Sequence, residues 1–293
     1  MHYRTRRALI AYLMLVPTFL VTGVFVFYPI VNSFIISFFN WNMLSPVKRF
    51  VGLQNYWQIF HDPLFLVALR NTLFYAVCYV PVVLALGLIA ALALNQRIRG
   101  SAGFRTILIV PYVTSIAGSG VIWQWIFEPN GVLNALLRYV GIPPQNWLND
   151  PHWTLFNIIV MGVWQQLGYV SIIYLSGLQA ISKEYYEAAS VDGARSWHMF
   201  RHITWPLLTP STYFLLILTS INALGIFLQV YVLYGQSAGP NNSAMTLVYY
   251  MYMNGFSNYR MGYASAAAYV FFFLVLIITL IQLLYSRRVN YDS

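Results

Sequence analysis

Six long stretches of this chain carry no Lys, Arg, Asp or Glu. They lie between Arg7 and Lys48, Arg70 and Arg97, Arg105 and Glu128, Asp150 and Lys183, Arg201 and Arg260, and Arg260 and Arg287. A helix crosses a bilayer with about 20 predominantly apolar residues, and only a helix or a closed barrel satisfies its own backbone there. Each gap is long enough for one such helix. The fifth could hold two, but Gly235–Ser243 (GQSAGPNNS) interrupts it with turn formers. The pattern predicts an all-α polytopic membrane protein with spans near residues 10–34, 69–94, 104–127, 153–179, 211–234 and 262–285. Composition agrees: 8% of the 293 residues are charged and 59% are hydrophobic, where soluble domains carry about 25% charge. An ordinary cytosolic enzyme, a disordered chain and a secreted disulfide scaffold are excluded, the last because Cys78 is the single cysteine. Residues 1–293 read as one transmembrane domain.

The net charge of +9 follows the topology. With the N-terminus inside, the inner segments hold Arg4, Arg6, Arg7, Arg97, Arg99, Arg105, Lys183, Arg195, Arg201, Arg287 and Arg288, which is 11 of 16 basic residues. The outer segments hold Lys48, Arg49, Arg70, Arg138 and Arg260. This bias predicts that both termini are cytoplasmic, and it accounts for the basic excess without nucleic acid. The first apolar stretch runs past the roughly 7–15 residues of a signal-peptide core and no A-x-A site follows, so it reads as a span and not a cleaved leader. Pro17, Pro81 and Pro111 fall inside spans, and Pro29 lies toward the end of the first. Hinges and static kinks are equally compatible with them.

By this placement no ionisable side chain lies deep in a span. Proton relays and voltage sensors keep such groups in the membrane, so the chain either draws energy from a partner or conducts passively; sodium coupling through carbonyls and hydroxyls stays open. Leu175–Gln179 (LSGLQ) is one letter from an ATPase signature, but the chain has no G-x-x-x-x-G-K-[ST] to cradle a nucleotide. His198 and His202 share a helix face, yet no Glu separates them as in H-E-x-x-H and no third ligand is evident, so no metal site is expected.

The inner segment 183–210 differs in kind. KEYYEAASVDGARSWHMFRHITWPLLTP holds Glu184, Glu187 and Asp192, three of the seven acidic residues. Ser182 is placed to cap a short helix with the two glutamates near its positive end. Ala188 and Ala189 give that helix a small, closely approachable side, and Asp192-Gly193 reads as a turn. Ser196 is expected to cap a second short helix carrying Trp197, Phe200 and Ile203 toward the bundle, with Pro206 ending it. Such a helix–turn–helix suits a socket on a soluble partner; on shape alone, a solvated connection is as compatible.

The same loop resembles the EAA motif of ABC importer permeases, E-A-A-x3-G-x9-I-x-L-P. Glu187, Ala188, Ala189, Gly193, Ile203 and Pro206 match at the same spacing, and Trp205 replaces the usual Leu. Val51–Tyr56 (VGLQNY), Gly177–Ile181 (GLQAI), Gly239-Pro240 and Gly262–Ala266 (GYASA) are similar to elements of the carbohydrate-uptake branch, of maltose and glycerol-phosphate type. The resemblance implies a type I ABC importer permease fold in a bacterial plasma membrane, with a cytoplasmic coupling helix between spans 4 and 5. It also implies a second permease in a heterodimer, two cytoplasmic ATP-binding subunits that carry ATP and Mg, and an extracytoplasmic solute-binding protein. The chain itself would bind no cofactor and perform no catalysis. Glu187, Ala188, Ala189, Asp192, Gly193, Ile203 and Pro206 would couple it to the ATPase.

Two polar stripes could line a solute pathway. Span 4 carries Asn157, Trp164, Gln165, Gly168, Tyr169 and Ser171; span 5 carries Thr219, Asn222, Gly225 and Gln229. Amides can replace water around sugar hydroxyls and aromatic rings can stack on a pyranose, so Asn157, Trp164, Gln165, Tyr169, Asn222 and Gln229 are the pathway candidates. Helix packing explains small and polar residues equally well. The function expected is a non-catalytic permease for a sugar or oligosaccharide, with an ion-coupled secondary transporter or a passive channel as the alternative.

Overall fold

A computed structural model describes residues 2–96 and 100–286. Arg97, Arg99, Arg287 and Arg288, counted above among the inner basic residues, lie outside them. The described residues are almost entirely helical and form two compact units, Met1–Asp62 with Met251–Phe273, and Pro63–Tyr250 with Leu274–Ser293. Among the described residues five helices are long and apolar enough to cross a membrane, or six if one sharply bent pair counts as one span.

The first unit opens with α1 (His2–Thr22), a wide turn at Gly23–Phe27 and α2 (Tyr28–Ile36). Across Tyr12–Ile36 only Ile36, at the end, is buried, as lipid contact allows. A two-stranded hairpin, β1 (Phe39–Asn40) with β2 (Arg49–Phe50), and α3 (Gln54–Phe60) follow. The VGLQNY element has a local task here. Gly52 adopts φ +56°, which favours glycine, and turns the chain into α3. Buried Asn55 then donates from Nδ2 to the carbonyls of Ser37 and Phe39 at 2.7 and 3.0 Å, while Tyr56 and Ser37 hydroxyls meet at 2.7 Å.

The second unit is a bundle of α4 (Pro63–Leu94), α5 (Ser101–Val113), α6 (Ile116–Phe127), α7 (Val132–Tyr139), α8 (Pro151–Ala180), α9 (Lys183–Val191), α10 (Ser196–Met199), α11 (Trp205–Leu224) and α12 (Leu228–Tyr234). The short α13 (Leu247–Tyr252) and the long α14 (Met261–Ser286) run through both units. Small residues bring the helices together, as apolar solvent requires. Gly87 on α4 faces Val170 on α8, Gly168 on α8 lies against the Leu108 carbonyl of α5, Gly177 on α8 meets Leu208 and Ser211 of α11, and Gly120 on α6 meets Val232 of α12. Carbonyls left open at a helix end find a side chain: Gln124 donates to the carbonyls of Val232 and Leu233 in the last turn of α12 at 2.8 and 3.2 Å.

Long helices cover the residues expected for spans 1, 2, 4 and 6, and the helices over the residues expected for spans 3 and 5 are broken. The third, expected as one helix over 104–127, breaks at Thr114-Ser115, and α5 and the helical segment beyond the break meet at 99°. The break lies three residues beyond Pro111, and the Thr114 hydroxyl donates at 2.7 Å to the Pro111 carbonyl, which the helix end leaves open. The fifth, expected at 211–234, starts at Trp205 and is broken at Gly225–Phe227 before α12. Pro206 does not end a loop helix. It occupies the first turn of α11, directly after a wide turn at Phe200–Thr204 that joins α10 to α11 without interruption. The turn expected at Gly235–Ser243 is present as two single 3₁₀ turns, Gly235–Ser237 and Pro240–Asn242, with positive φ at Gly235, Ala238, Gly239, Asn241 and Asn242.

Candidate functional site

Four transmembrane elements place polar residues near their midpoints, and these converge on one cavity of about 540 Å³, inside the ~300–1,000 Å³ range of small-molecule sites. Tyr75 and Tyr79 come from the middle of α4, Tyr112 and Thr114 from the break between α5 and α6, Gln165 and Gln166 from the middle of α8, and Asn222 and Gln229 from either side of the break between α11 and α12. Irregular backbone at membrane depth is tolerated where it is buried in protein or lines a water-filled cavity. Both breaks line this one.

The wall is ordered. Tyr75 and Tyr79 stack with ring centres 5.1 Å apart and planes 12° apart. Gly162 on α8 makes their room, because an added Cβ would press on the Tyr75 hydroxyl and the Tyr79 ring. Tyr112 stacks on Tyr169 at 4.8 Å and 18°. Gln229 donates from Nε2 to Oε1 of Gln165 at 3.3 Å. Among the described residues, no Asp, Glu, Lys, Arg or His lines the cavity.

Of the six pathway candidates, the structure brings Gln165, Asn222 and Gln229 to this cavity and sets Tyr169 behind Tyr112. It does not bring Asn157 or Trp164 there. Asn157 is fully buried, donating to the Trp147 carbonyl at 2.7 Å and to the Tyr234 hydroxyl at 3.1 Å. Trp164 faces the other way, into an apolar groove with Phe74, Cys78 and Val160, and meets Trp123 edge-on at 5.7 Å. The stripe of Asn157, Gly168 and Ser171 packs helices, and the cavity face of α8 is Gly162, Gln165 and Gln166. Tyr75, Tyr79, Tyr112 and Thr114 had no counterpart among the candidates. Their signals were two tyrosines at i, i+4 in an otherwise apolar span and a Thr-Ser pair just after Pro111.

The 183–210 loop begins as expected: the Ser182 hydroxyl accepts from the Glu184 N–H at 3.3 Å and caps α9. Its end is a Schellman motif. Ala194 N–H reaches the Ala189 carbonyl at 2.9 Å, Gly193 N–H reaches Ser190 at 3.1 Å, and Gly193 has φ +79°. Asp192 closes α9 at its C-cap. The Tyr186 hydroxyl meets Thr204 Oγ1 at 3.0 Å, tying α9 to the start of α11. Ser196 caps nothing; Arg195 holds that position without a side-chain bond.

No residue of α9 is buried. Glu187, Ala188, Asp192, Gly193 and Pro206 are exposed, and Ala189 and Ile203 are half-covered. Trp197, expected against the bundle, is 70% exposed, and Val191 at the loop tip is 89% exposed. Trp197 instead stacks on Phe200 at 5.5 Å. This leaves an apolar, small-residue surface uncovered on the described chain.

Residues 83–291 match the protein family described as binding-protein-dependent transport system inner membrane component. The chain is 36% identical to the arabinooligosaccharides transport system permease protein AraP of Bacillus subtilis (strain 168), over 93% of this chain and 87% of that one. It is 34% identical to the lactose transport system permease protein LacF of Rhizobium radiobacter, over 94% of each. Its fold superposes with a TM-score of 0.87, at 24% identity and over 100% of this chain and 99% of the other, on a chain of a bacterial alginate ABC transporter solved in complex with an alginate pentasaccharide-bound periplasmic protein. The chain therefore belongs to the family of inner membrane components of binding-protein-dependent transport systems.

Proposed function

We propose that this chain is the permease subunit of an ATP-driven importer for a sugar or short oligosaccharide, that the mid-membrane cavity holds the solute in transit, and that the 183–210 loop is where partner ATPases act. The names of its relatives support the solute class. The observation that carries the mechanism is the position of the loop between the two elements that bring amides to the cavity. α8 carries Gln165 and leads directly into α9. From Ser196 to Leu224 the chain is helical without a gap, so it acts as a rod about 40 Å long at 1.5 Å per residue. It ends beside Asn222 and the Gly225–Phe227 break.

A partner seated on the exposed α9 surface can thus move both cavity walls by moving one loop. Closure of two ATP-binding subunits would shift α9, tilt α8 and α11, and let the breaks absorb the motion, switching the cavity between the two sides of the membrane. ATP and Mg would stay on those subunits. A second permease and an extracytoplasmic solute-binding protein complete the assembly, and both termini of this chain would face the cytoplasm. Glu187→Lys and Gly193→Asp should abolish uptake and solute-stimulated ATP hydrolysis while membrane insertion survives. Wild-type uptake in either variant rejects the coupling role. Uptake that survives ATP depletion but collapses with an ionophore would instead support an ion-coupled carrier.

A further inference from the structure

We infer that the cavity takes an uncharged saccharide and discriminates against phosphorylated, sulfonated or uronic counterparts; the inference rests on the reading of this cavity as the solute site.

An anion brought to the middle of the membrane needs a counter-charge, because its water shell has been removed. The lining residues offer none. The cations nearest in sequence are not among the lining residues. Arg70 is exposed on α4, five residues before Tyr75. Arg105 precedes Tyr112 by seven residues on α5, about 10 Å along the axis, and side chains on a helix lean toward its N-terminus, here away from the cavity.

Helix ends do not supply the missing charge either. A lone helix N-terminus would favour an anion, but each break presents the C-terminus of one half and the N-terminus of the next, so opposite partial charges meet at the same place.

What the wall does offer suits hydroxyls. Gln165, Asn222 and Gln229 each carry a donor and an acceptor, and the Thr114 hydroxyl does the same. A sugar hydroxyl uses both halves of such a group, whereas a phosphate or carboxylate uses donors alone and leaves amide oxygens facing its charge. The tyrosines sharpen the distinction. The face of an aromatic ring is its negative side, so the stacked pairs Tyr75–Tyr79 and Tyr112–Tyr169 attract the C–H face of a pyranose and repel an anion.

The test uses the tagged chain purified from membranes with the subunits that accompany it. Saturation-transfer NMR is measured for lactose, trehalose and an arabinobiose as neutral probes, and for digalacturonate and glycerol 3-phosphate as anionic ones. The neutral probes should receive transfer mainly at ring C–H positions and bind about tenfold or more tightly than the anions. Tyr79→Ala should reduce that transfer about fivefold, and Tyr79→Phe, which keeps the ring if Ala misfolds, should retain it. Gln165→Arg should reverse the preference by supplying a counter-charge. Anions binding as well as or better than the neutral probes in the wild type would overturn the inference and leave the solute site standing. No transfer to any probe would overturn both.

Discussion

Gln229 donates a hydrogen bond to Gln165 at 3.3 Å, and that contact joins α12, just beyond the second helix break, to α8 at the cavity wall. A neutral hydrogen bond contributes about 1 kcal/mol, or about fivefold. Gln165→Ala and Gln229→Ala should each lower the transport kcat/KM by at least that factor. Because the two amides act as a pair, the double variant should fall little below the worse single one. A double-mutant cycle on uptake measures this; strictly additive losses would show that the amides act separately.

Gly193 should follow backbone conformation and not side-chain size. At φ +79° a residue with a Cβ is strained by roughly 1–2 kcal/mol, and asparagine tolerates the region better than others. Solute-stimulated ATP hydrolysis should therefore decline in the order Gly, Asn, Ala, Val. Nothing lies within 4 Å of an added Cβ, so an Ala variant equal to wild type would mean that the loop's end does not need this turn.

The long apolar helices were legible because charge is so costly in lipid that its absence marks them, and the loop was legible because a Ser cap and an Asp-Gly turn are local chemistry. The breaks were not. Pro111 was visible, but a proline perturbs the turn before it, and the break lies after it, at Thr114-Ser115, where the Thr114 hydroxyl takes up the open Pro111 carbonyl. Gly225 sat in a stripe of polar residues that fitted an unbroken helix equally well. The choice between Gln165 and its neighbour Trp164 was also hidden. One residue of rotation on α8 separates cavity from apolar groove, and the packing of Gly162, Gly168 and Gly177 against neighbouring helices fixes that rotation. Trp197 misled because an aromatic on a loop reads as core until its partner is known to be another chain or, as here, Phe200 beside it.

Gly168 sets the approach of α5 to α8, and with it the Tyr112–Tyr169 stack. An added Cβ collides with the backbone carbonyl of Leu108, which cannot swing aside as a side chain would. Gly168→Ala should lower stability by about 1–3 kcal/mol, as overpacking typically does. Gly168→Leu should prevent stable insertion. Thermal unfolding of the purified assembly gives the first, and membrane yield gives the second. An unchanged melting temperature for Gly168→Ala would mean that the two helices lie farther apart.

Asp150 caps α8 at the membrane boundary, where its Oδ1 accepts from the His152 N–H at 2.9 Å and faces the His152 ring nitrogen at 2.8 Å. The backbone N–H of His152, and then its side chain, hold the carboxyl below its ordinary value. A depressed carboxyl pKa means that the folded chain binds this proton less readily than the unfolded one. The stabilisation is therefore complete above the usual aspartate range near about 4 and is lost as pH falls through the lowered value. Asp150→Asn keeps a capping oxygen without the charge, so the melting temperature of wild type minus that of Asp150→Asn should be positive and flat from neutral pH down to about 5, then shrink toward zero in stronger acid. Asp150→Ala should be destabilised at every pH, because it loses the cap itself. A difference between wild type and Asp150→Asn that widens on acidification would contradict the assignment of the shift to this cap.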